Sequence, residues 1–378
     1  MLKIVNDENI SFAKEAFNHI GIVETVQGRS VSNQLLKDAD ILIVRSITMV
    51  DEYLLKNTKI KFVGTTTIGT DHIDLDYLKK NKIAFADAKG CNAFSVAEYV
   101  AVSLFYLSVK YDFKLKDKSI GIVGVGNVGS KVARFAKALG MKVLLNDPPL
   151  ERNGDPGKFV SLNEILKCDI VTLHTPLNLD GIDKTLHLIN KENLARLNEN
   201  TILINTSRGA VINNNDLLES IERKKLIAVL DVWENEPEVN SGLLERTDIA
   251  TPHIAGYSLE GKINGTIMIY DALCRFLNIE KEYNFQMPVL KDSVLEINSS
   301  EQFETAMYQL ISKIYPIADD DKRMRRMSGM NRANIANEFD NQRKNYPVRR
   351  EFNNYKIKDT NTDAEIKSVL SELRFKII

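Results

Sequence analysis

The chain has 378 residues, 44% of them hydrophobic and 27% charged, with a formal net charge of −1. That length suggests two or three domains, and the composition is that of an ordinary soluble globular protein with no electrostatic bias towards nucleic acid or membrane surfaces. Three scattered cysteines (Cys91, Cys168 and Cys274) without a C-x-x-C pair speak against a disulfide scaffold or zinc site and for a reducing, cytoplasmic setting.

The opening segment MLKIVNDENI lacks the apolar core of a signal peptide, and no apolar run approaches the ~18 residues of a membrane span. Short apolar runs predict strands at 2–5, 41–44 and 61–64, with a helix at 11–19. This rhythm suggests a small parallel α/β unit. Ser95 followed by Glu98 reads as a capping box opening a long apolar helix over 96–107. From 118 to 255 a regular βαβ pattern places strands at 119–123, 142–146, 170–174, 202–205, 228–232 and 249–250. That is the strand count of a full dinucleotide-binding domain. A helix is predicted over 261–278, and its lead-in suggests a crossing back to the first unit. After residue 284 the texture changes. A strand over 289–299, a helix over 301–314, an Arg- and Asn-rich stretch over 324–352 and a terminal helix over 363–373 make a small α+β domain.

The segment SIGIVGVGNVGSKVARFAKALGMKVLLND holds Gly124-x-Gly126-x-x-Gly129 between a strand and a helix. The first glycine makes the tight turn, the second lets backbone approach a pyrophosphate, and the third permits close helix packing. The helix N-terminus then offers free N–H groups to the phosphates. Asp147 ends the next strand, where a carboxylate accepts from ribose hydroxyls and repels a 2′-phosphate, so NAD is favoured over NADP. A P-loop is excluded because no Gly-Lys-[Ser/Thr] follows. An S-adenosylmethionine site stays compatible with this segment alone.

Arg208, Glu236 and His253 follow the apolar runs 201–205, 227–232 and 248–251. All three therefore arrive at the carboxyl edge of a parallel sheet, where open α/β sheets bind ligands. A neutral histidine accepts a hydroxyl proton while hydride departs. A carboxylate beside it holds the ring, and the planar guanidinium fork suits a carboxylate or a developing ketone oxygen. Each residue taken singly has an ordinary structural reading. Beside a dinucleotide motif, the set points to oxidation of a 2-hydroxy acid. His19, His72, His174 and His187 share no metal-ligand spacing, so no metal is expected.

The motifs GVGNVG, HTPL, NTSRGAVI, DVWENEP and TPHIAGYSLEG resemble those of the D-2-hydroxyacid dehydrogenases. The resemblance implies a doubly wound (Rossmann) NAD domain over 95–255 and a flavodoxin-like α/β substrate domain from 1–94 completed by 256–284. The remaining 285–378 would be a small α+β dimerisation domain of a homodimer. Arg208, Glu236 and His253 match the family's catalytic Arg, acid and His in order. The same matching implies cofactor contacts from Gly124, Gly126, Asn127, Val128, Gly129, Asp147, Thr175, Thr206, Ser207, Arg208, Asp231 and Gly256, with Asp231 on the nicotinamide amide. Ser207 departs from the pattern, standing where a cysteine is usual.

A finer likeness runs through VRSIT, KFVGTTTIGTDHID, LLNDPP, KTLHLIN and EFDNQRKNYPVRREF. It implies 4-phospho-D-erythronate as substrate, in pyridoxal phosphate synthesis, bound by Ser46, Thr67 and Tyr257. A phosphorylated acid needs a cationic, hydroxyl-rich pocket at its far end. Arg45, beside Ser46 and near the Thr65–Thr67 run, is inferred as a phosphate ligand from its charge and place. The basic segment with Arg343, Lys344, Arg349 and Arg350 reads as a solvated face or a dimer surface, from which one arginine would reach the phosphate across the dimer. Two rivals stay open: another D-2-hydroxyacid dehydrogenase, for 3-phosphoglycerate or an unphosphorylated acid, and a dinucleotide-sensing corepressor on the same fold.

Overall fold

The computed structural model describes residues 1–298, 300–358 and 363–378. Its contacts divide the chain into two compact units, Met1–Asn92 with Ser258–Val289, and Ala93–Tyr257 with Leu290–Ile378.

The first unit is built on five parallel strands: β1 (Leu2–Asp7), β2 (Gly21–Val26), β3 (Ile41–Val44), β4 (Phe62–Thr65) and β5 (Ala84–Asp87). Their order, β2-β1-β3-β4-β5, is that of a flavodoxin-like doubly wound sheet. The central runs β3 and β4 are wholly buried, which is why they read as continuous apolar segments. Helix Leu259–Leu277 returns to this unit and lays Ile269, Tyr270 and Leu273 against Ile4, Ile41, Ile43 and Phe62. Gly265 is required there, because a Cβ would stand 2.7 Å from the Thr66 carbonyl oxygen. The edge strands β2 and β5 were not anticipated: both are only partly buried, so their sequences lack an apolar run.

The second unit carries β6 (Ser119–Val123), β7 (Lys142–Asn146), β8 (Ile170–Leu173), β9 (Ile202–Asn205), β10 (Ile227–Leu230) and β11 (Ile249–Ala250), all parallel, in the order β11-β10-β9-β8-β6-β7. A further strand position beyond β7 is reduced to one bridge, Leu145 with Phe159. Side chains alternate between faces with period two. Ile120, Ile122, Ile202, Ile204 and Val229 point into one apolar cluster, and Val171, Leu173, Leu203, Ala228 and Leu230 into the other.

Helix Ala93–Lys110 covers the first of these faces, and the capping-box expectation fails on it. The helix begins before Ser95, so Ser95 and Glu98 lie inside it. Ser95 Oγ donates to Glu351 (2.8 Å), and Glu98 accepts from the Phe352 N–H (3.0 Å) and Arg374 (3.3 Å). The i,i+3 spacing that suggests a cap also puts both groups on one helix face, and that face is claimed by the C-terminal stretch. The same helix is long and apolar enough to cross a membrane by length and composition, contrary to the reading of the sequence. It is 78% buried within the protein, as a core helix is.

The C-terminal stretch adds a three-stranded parallel sheet of β12 (Val294–Leu295), β13 (Lys356–Ile357) and β14 (Lys376–Ile377). The predicted strand over 289–299 shrinks to its two-residue core, with Ser299 outside the described residues. Helices Phe303–Ser312 and Ala364–Glu372 fall where expected, and Ile317–Arg325 and Arg332–Lys344 fill the stretch left unread. Its apolar residues enter both clusters of the nucleotide sheet: Met307, Leu310, Ile311 and Phe352 on one side, Met324, Ile335 and Phe339 on the other. Asp321 accepts from the Ala250 N–H at 2.8 Å, covering the edge of β11.

Candidate active site

The strand order of the second sheet reverses between β6 and β8, so a crevice opens there at the carboxyl edge. Gly124 follows β6 in a left-handed conformation (φ +84°), and a Cβ on it would stand 2.6 Å from the His174 carbonyl oxygen. A Cβ on Gly129 would lie 1.9 Å from the Gly124 carbonyl oxygen, so helix Asn127–Ala138 packs close only because both positions are glycine. Gly126 differs: nothing lies within 4 Å of its Cβ position. It caps the helix without a side-chain hydrogen bond, and Asn127 and Val128 open the first turn. The N–H groups of that turn are left for an anion.

At the end of β7 the Asp147 carboxylate accepts from the Val125 N–H (2.8 Å) and the Leu150 N–H (3.1 Å). It ties the glycine turn to the next strand and keeps lone pairs for a further donor. Beyond β8, Thr175 Oγ1 is buried without a hydrogen-bond partner, in a side chain that packs beside the glycine turn, its Cγ2 3.1 Å from the Cβ position of Gly124. These features fit a dinucleotide: an open cradle at Gly126, an uncapped helix, a carboxylate one strand over and an orphaned hydroxyl.

His174 lies between Thr172 (3.0 Å) and Thr206 (3.2 Å), and burial holds its pKa down to about 3, so the ring is neutral. Asn205 Oδ1 takes both the backbone N–H and the hydroxyl of Ser207, while its amide donates to the Arg208 carbonyl. Arg208 is thereby fixed on a tight turn, and its Nη1 donates to the Ser207 carbonyl (2.8 Å). Gly209 seats that turn: a Cβ would fall 1.9 Å from the Trp233 carbonyl carbon.

His253 and Glu236 meet as the sequence suggested, with Nδ1 and Oε2 2.8 Å apart. The other carboxylate oxygen accepts from the Trp233 N–H at 2.7 Å. Burial by itself would raise the Glu236 pKa, but the His253 ring, its hydrogen bond, the Trp233 N–H and the Arg343 charge outweigh it, and the net shift is downward. The dyad therefore carries a carboxylate on Nδ1 and leaves Nε2 for a substrate proton.

Asp231 builds the turn that presents this histidine. It is 1% exposed and accepts from Thr251 Oγ1 (2.6 Å), the Ile254 N–H (2.7 Å) and the Ala255 N–H (3.0 Å). Its carbonyl takes the His253 N–H (2.7 Å), and His253 is held at φ +58°. Tyr99 and Trp233 also bind Thr251, through its hydroxyl and its carbonyl. This scaffold was missed from sequence, because Tyr99 lies 152 residues from Thr251. Tyr257 follows Gly256 on the same turn, its N–H bound to the Ile254 carbonyl (2.8 Å).

In the first unit Arg45 and Ser46 follow β3 and Thr67 follows β4, at one sheet edge because the strands are parallel. Thr67 Oγ1 meets Thr65 Oγ1 (2.8 Å), which meets His72 Nε2 (3.1 Å). His72 is thus a buried anchor of the threonine run. The C-terminal arginines depart from expectation. Arg349 and Arg350 are 6% and 7% exposed and are spent inside their own chain. Arg349 donates to the Ala255 carbonyl and stacks 4.2 Å from the Tyr315 ring centroid, and Arg350 donates to Asn354. Neither stands on a solvated face.

A family model described as D-isomer specific 2-hydroxyacid dehydrogenase, NAD binding domain, matches residues 107–255, and one described as Domain of unknown function (DUF3410) matches 287–373. Erythronate-4-phosphate dehydrogenase of Proteus mirabilis is 45% identical over 94% of both chains. That of Escherichia coli O127:H6 is 44% identical over 100% of this chain and 99% of its own. The chain belongs to the erythronate-4-phosphate dehydrogenase family. Among solved structures, NAD+-bound 3-phosphoglycerate dehydrogenase of Entamoeba histolytica matches with TM-score 0.64 and 26% identity, over 76% of this chain and 99% of that one. D-Lactate dehydrogenase of Aquifex aeolicus, with NAD and lactic acid, matches with TM-score 0.60 and 27% identity, over 73% and 95%. Membership makes the chain an NAD-dependent dehydrogenase of a small-molecule 2-hydroxy acid, and NAD is the group that the glycine crevice fits.

Proposed function

We propose that this chain oxidises 4-phospho-D-erythronate to (R)-3-hydroxy-2-oxo-4-phosphooxybutanoate in pyridoxal 5′-phosphate synthesis. The observation that carries the reading is the 2.8 Å Glu236–His253 pair, beyond the same carboxyl edge as Arg208 in a chain 45% identical to a named erythronate-4-phosphate dehydrogenase. NAD, when bound, supplies the hydride acceptor at C2. His253 takes the C2 hydroxyl proton through Nε2. Glu236 fixes the ring through Nδ1 and stabilises the imidazolium that forms. Arg208 binds the substrate carboxylate and the oxygen that becomes the ketone. In reduction the same histidine returns the proton.

The glycine turn and its helix (Gly124, Gly126, Asn127, Val128, Gly129) cradle the pyrophosphate, and Asp147 takes the ribose hydroxyls. Thr175, Thr206, Ser207, Arg208, Asp231 and Gly256 complete the cofactor contacts. Ser46, Thr67 and Tyr257 recognise the substrate, and Arg45 adds a cation for its phosphate. The same reading makes the protein a cytoplasmic homodimer joined through its C-terminal domain.

The test is NADH formation by purified protein supplied in parallel with 4-phosphoerythronate, 3-phosphoglycerate and unphosphorylated D-2-hydroxy acids. Preference for 4-phosphoerythronate, with turnover lost but NAD binding kept in His253→Ala, is the expected result. Preference for another acid refutes the substrate, and no turnover of any of them refutes the enzymatic reading.

A further inference from the structure

The C-terminal stretch brings one more cation to the catalytic turn. Arg343 lies in the last turn of helix Arg332–Lys344, with its Cζ 5.7 Å from the Tyr257 ring centroid and 5.9 Å from that of Phe339, one helical turn back. Tyr257 is also met edge-on by Tyr346, 6.0 Å between centroids. The C-terminal domain therefore grips the residue four positions after His253.

Arg343 does not have the surroundings of a structural arginine. A half-buried guanidinium placed for stability is normally paired with a carboxylate or carbonyls. Among the described residues no carboxylate stands at ion-pair distance from it, and its Nε is buried with no acceptor. Burial opposes its charge, while Tyr257 and the Glu236 carboxylate favour it strongly enough to raise its pKa. A guanidinium has five N–H donors in a planar fork that matches phosphate. One hydrogen bond goes to the Tyr257 side chain, while Nε is left unanswered at a cost in stability that an anion on the fork would offset.

The substrate in the proposed function has two anionic ends. Arg208 is assigned to the carboxylate and the reacting oxygen. Arg349 is held by its Nη2 bond to the Ala255 carbonyl and its stacking on Tyr315, with Nη1 left without an acceptor, and Arg350 donates to Asn354. Arg343 stands beside Tyr257, on the turn that carries His253, and its charge acts on the Glu236 carboxylate.

We propose that Arg343, delivered by the C-terminal domain of the same chain, binds the phosphate of the substrate beside the His253–Glu236 pair, so that this domain supplies part of the active site. This rests on the substrate reading above. It gives the stretch 287–373 a role that its family description leaves open.

The experiment compares full-length wild type with Arg343→Ala and Arg343→Lys. Binding of 4-phosphoerythronate and of erythronate to the NADH-loaded proteins is measured by titration calorimetry, alongside steady-state kinetics. NADH affinity reports that each variant is folded. We expect Arg343→Ala to weaken 4-phosphoerythronate binding and raise its KM by roughly 10- to 100-fold, from loss of a charge-assisted fork. Erythronate should suffer at least ten times less, and lysine should fall between. Equal losses on both ligands would make Arg343 a positioning residue for Glu236 and Tyr257, and would overturn the proposal. So would no loss, or a wild type that binds neither phosphorylated nor unphosphorylated acid. Arg343-dependent binding of 4-phosphoerythronate without turnover would instead refute the function while leaving the phosphate site standing.

Discussion

Asp231→Asn tests how the catalytic histidine is held. Asp231 is 1% exposed, and its two oxygens serve three donors: Thr251 Oγ1, the Ile254 N–H and the Ala255 N–H. The amide keeps one oxygen and turns the other acceptor into a donor. With the oxygen kept on Thr251 and Ile254, the new NH2 faces the Ala255 N–H. One charge-assisted bond is then lost, about 1.5–3 kcal/mol, and a buried N–H is orphaned at about 1–3 kcal/mol more. Relaxation recovers part of this, so we expect unfolding free energy to fall by about 3 kcal/mol. Activity should fall with it, because His253 sits at φ +58° and a non-glycine residue stays there only while its surroundings fix it. A kcat loss of at least about tenfold is expected from the misplaced base. The chain's single tryptophan, Trp233, binds the Thr251 carbonyl through Nε1 and reports on this turn directly. Urea unfolding followed by its fluorescence gives the stability, and NADH formation gives kcat. A variant within about 1 kcal/mol of wild type and with unchanged kcat would show that Asp231 does not hold the turn.

Two further outcomes follow from the same geometry. Arg208→Lys keeps the charge but loses the fork, so kcat should drop on the order of 100-fold with a smaller change in KM; steady-state kinetics with normal kcat would remove Arg208 from the transition state. His174 has its pKa held at about 3, against 6.5 for an exposed histidine. Its unfolded form gains a proton that the native form refuses, so stability declines below pH 6.5 by about 1.4 kcal/mol per pH unit. Between pH 7 and 5 that is about 2 kcal/mol, and His174→Gln should show correspondingly less decline in urea unfolding. Glu236, with a lowered pKa, gives stability that is lost only as pH falls below 4.5 through its folded value, outside this window. Equal declines in both proteins would mean that His174 is not the group responsible.

The parts legible in the sequence were those with local causes. The buried parallel strands β3, β4, β8 and β9 appear as apolar runs because both sheet faces are covered. Gly124 and Gly129 are readable because one needs a positive φ and the other a missing Cβ. Arg208, Glu236 and His253 could be placed together because parallel strands send their carboxyl ends to one edge. Tertiary structure alone decided which face each polar group serves. Ser95 and Glu98 have the spacing of a cap, yet a segment about 250 positions away claims them. Arg343, Arg349 and Arg350 lie in one basic stretch and meet three fates: one beside Tyr257, one on the Ala255 carbonyl and one on Asn354. Their charge is the same in the chain, and what separates them is packing against residues remote in sequence, which no local pattern encodes. The sequence thus determined the reaction's chemistry, and the packing of the C-terminal domain decided which arginine stands beside it.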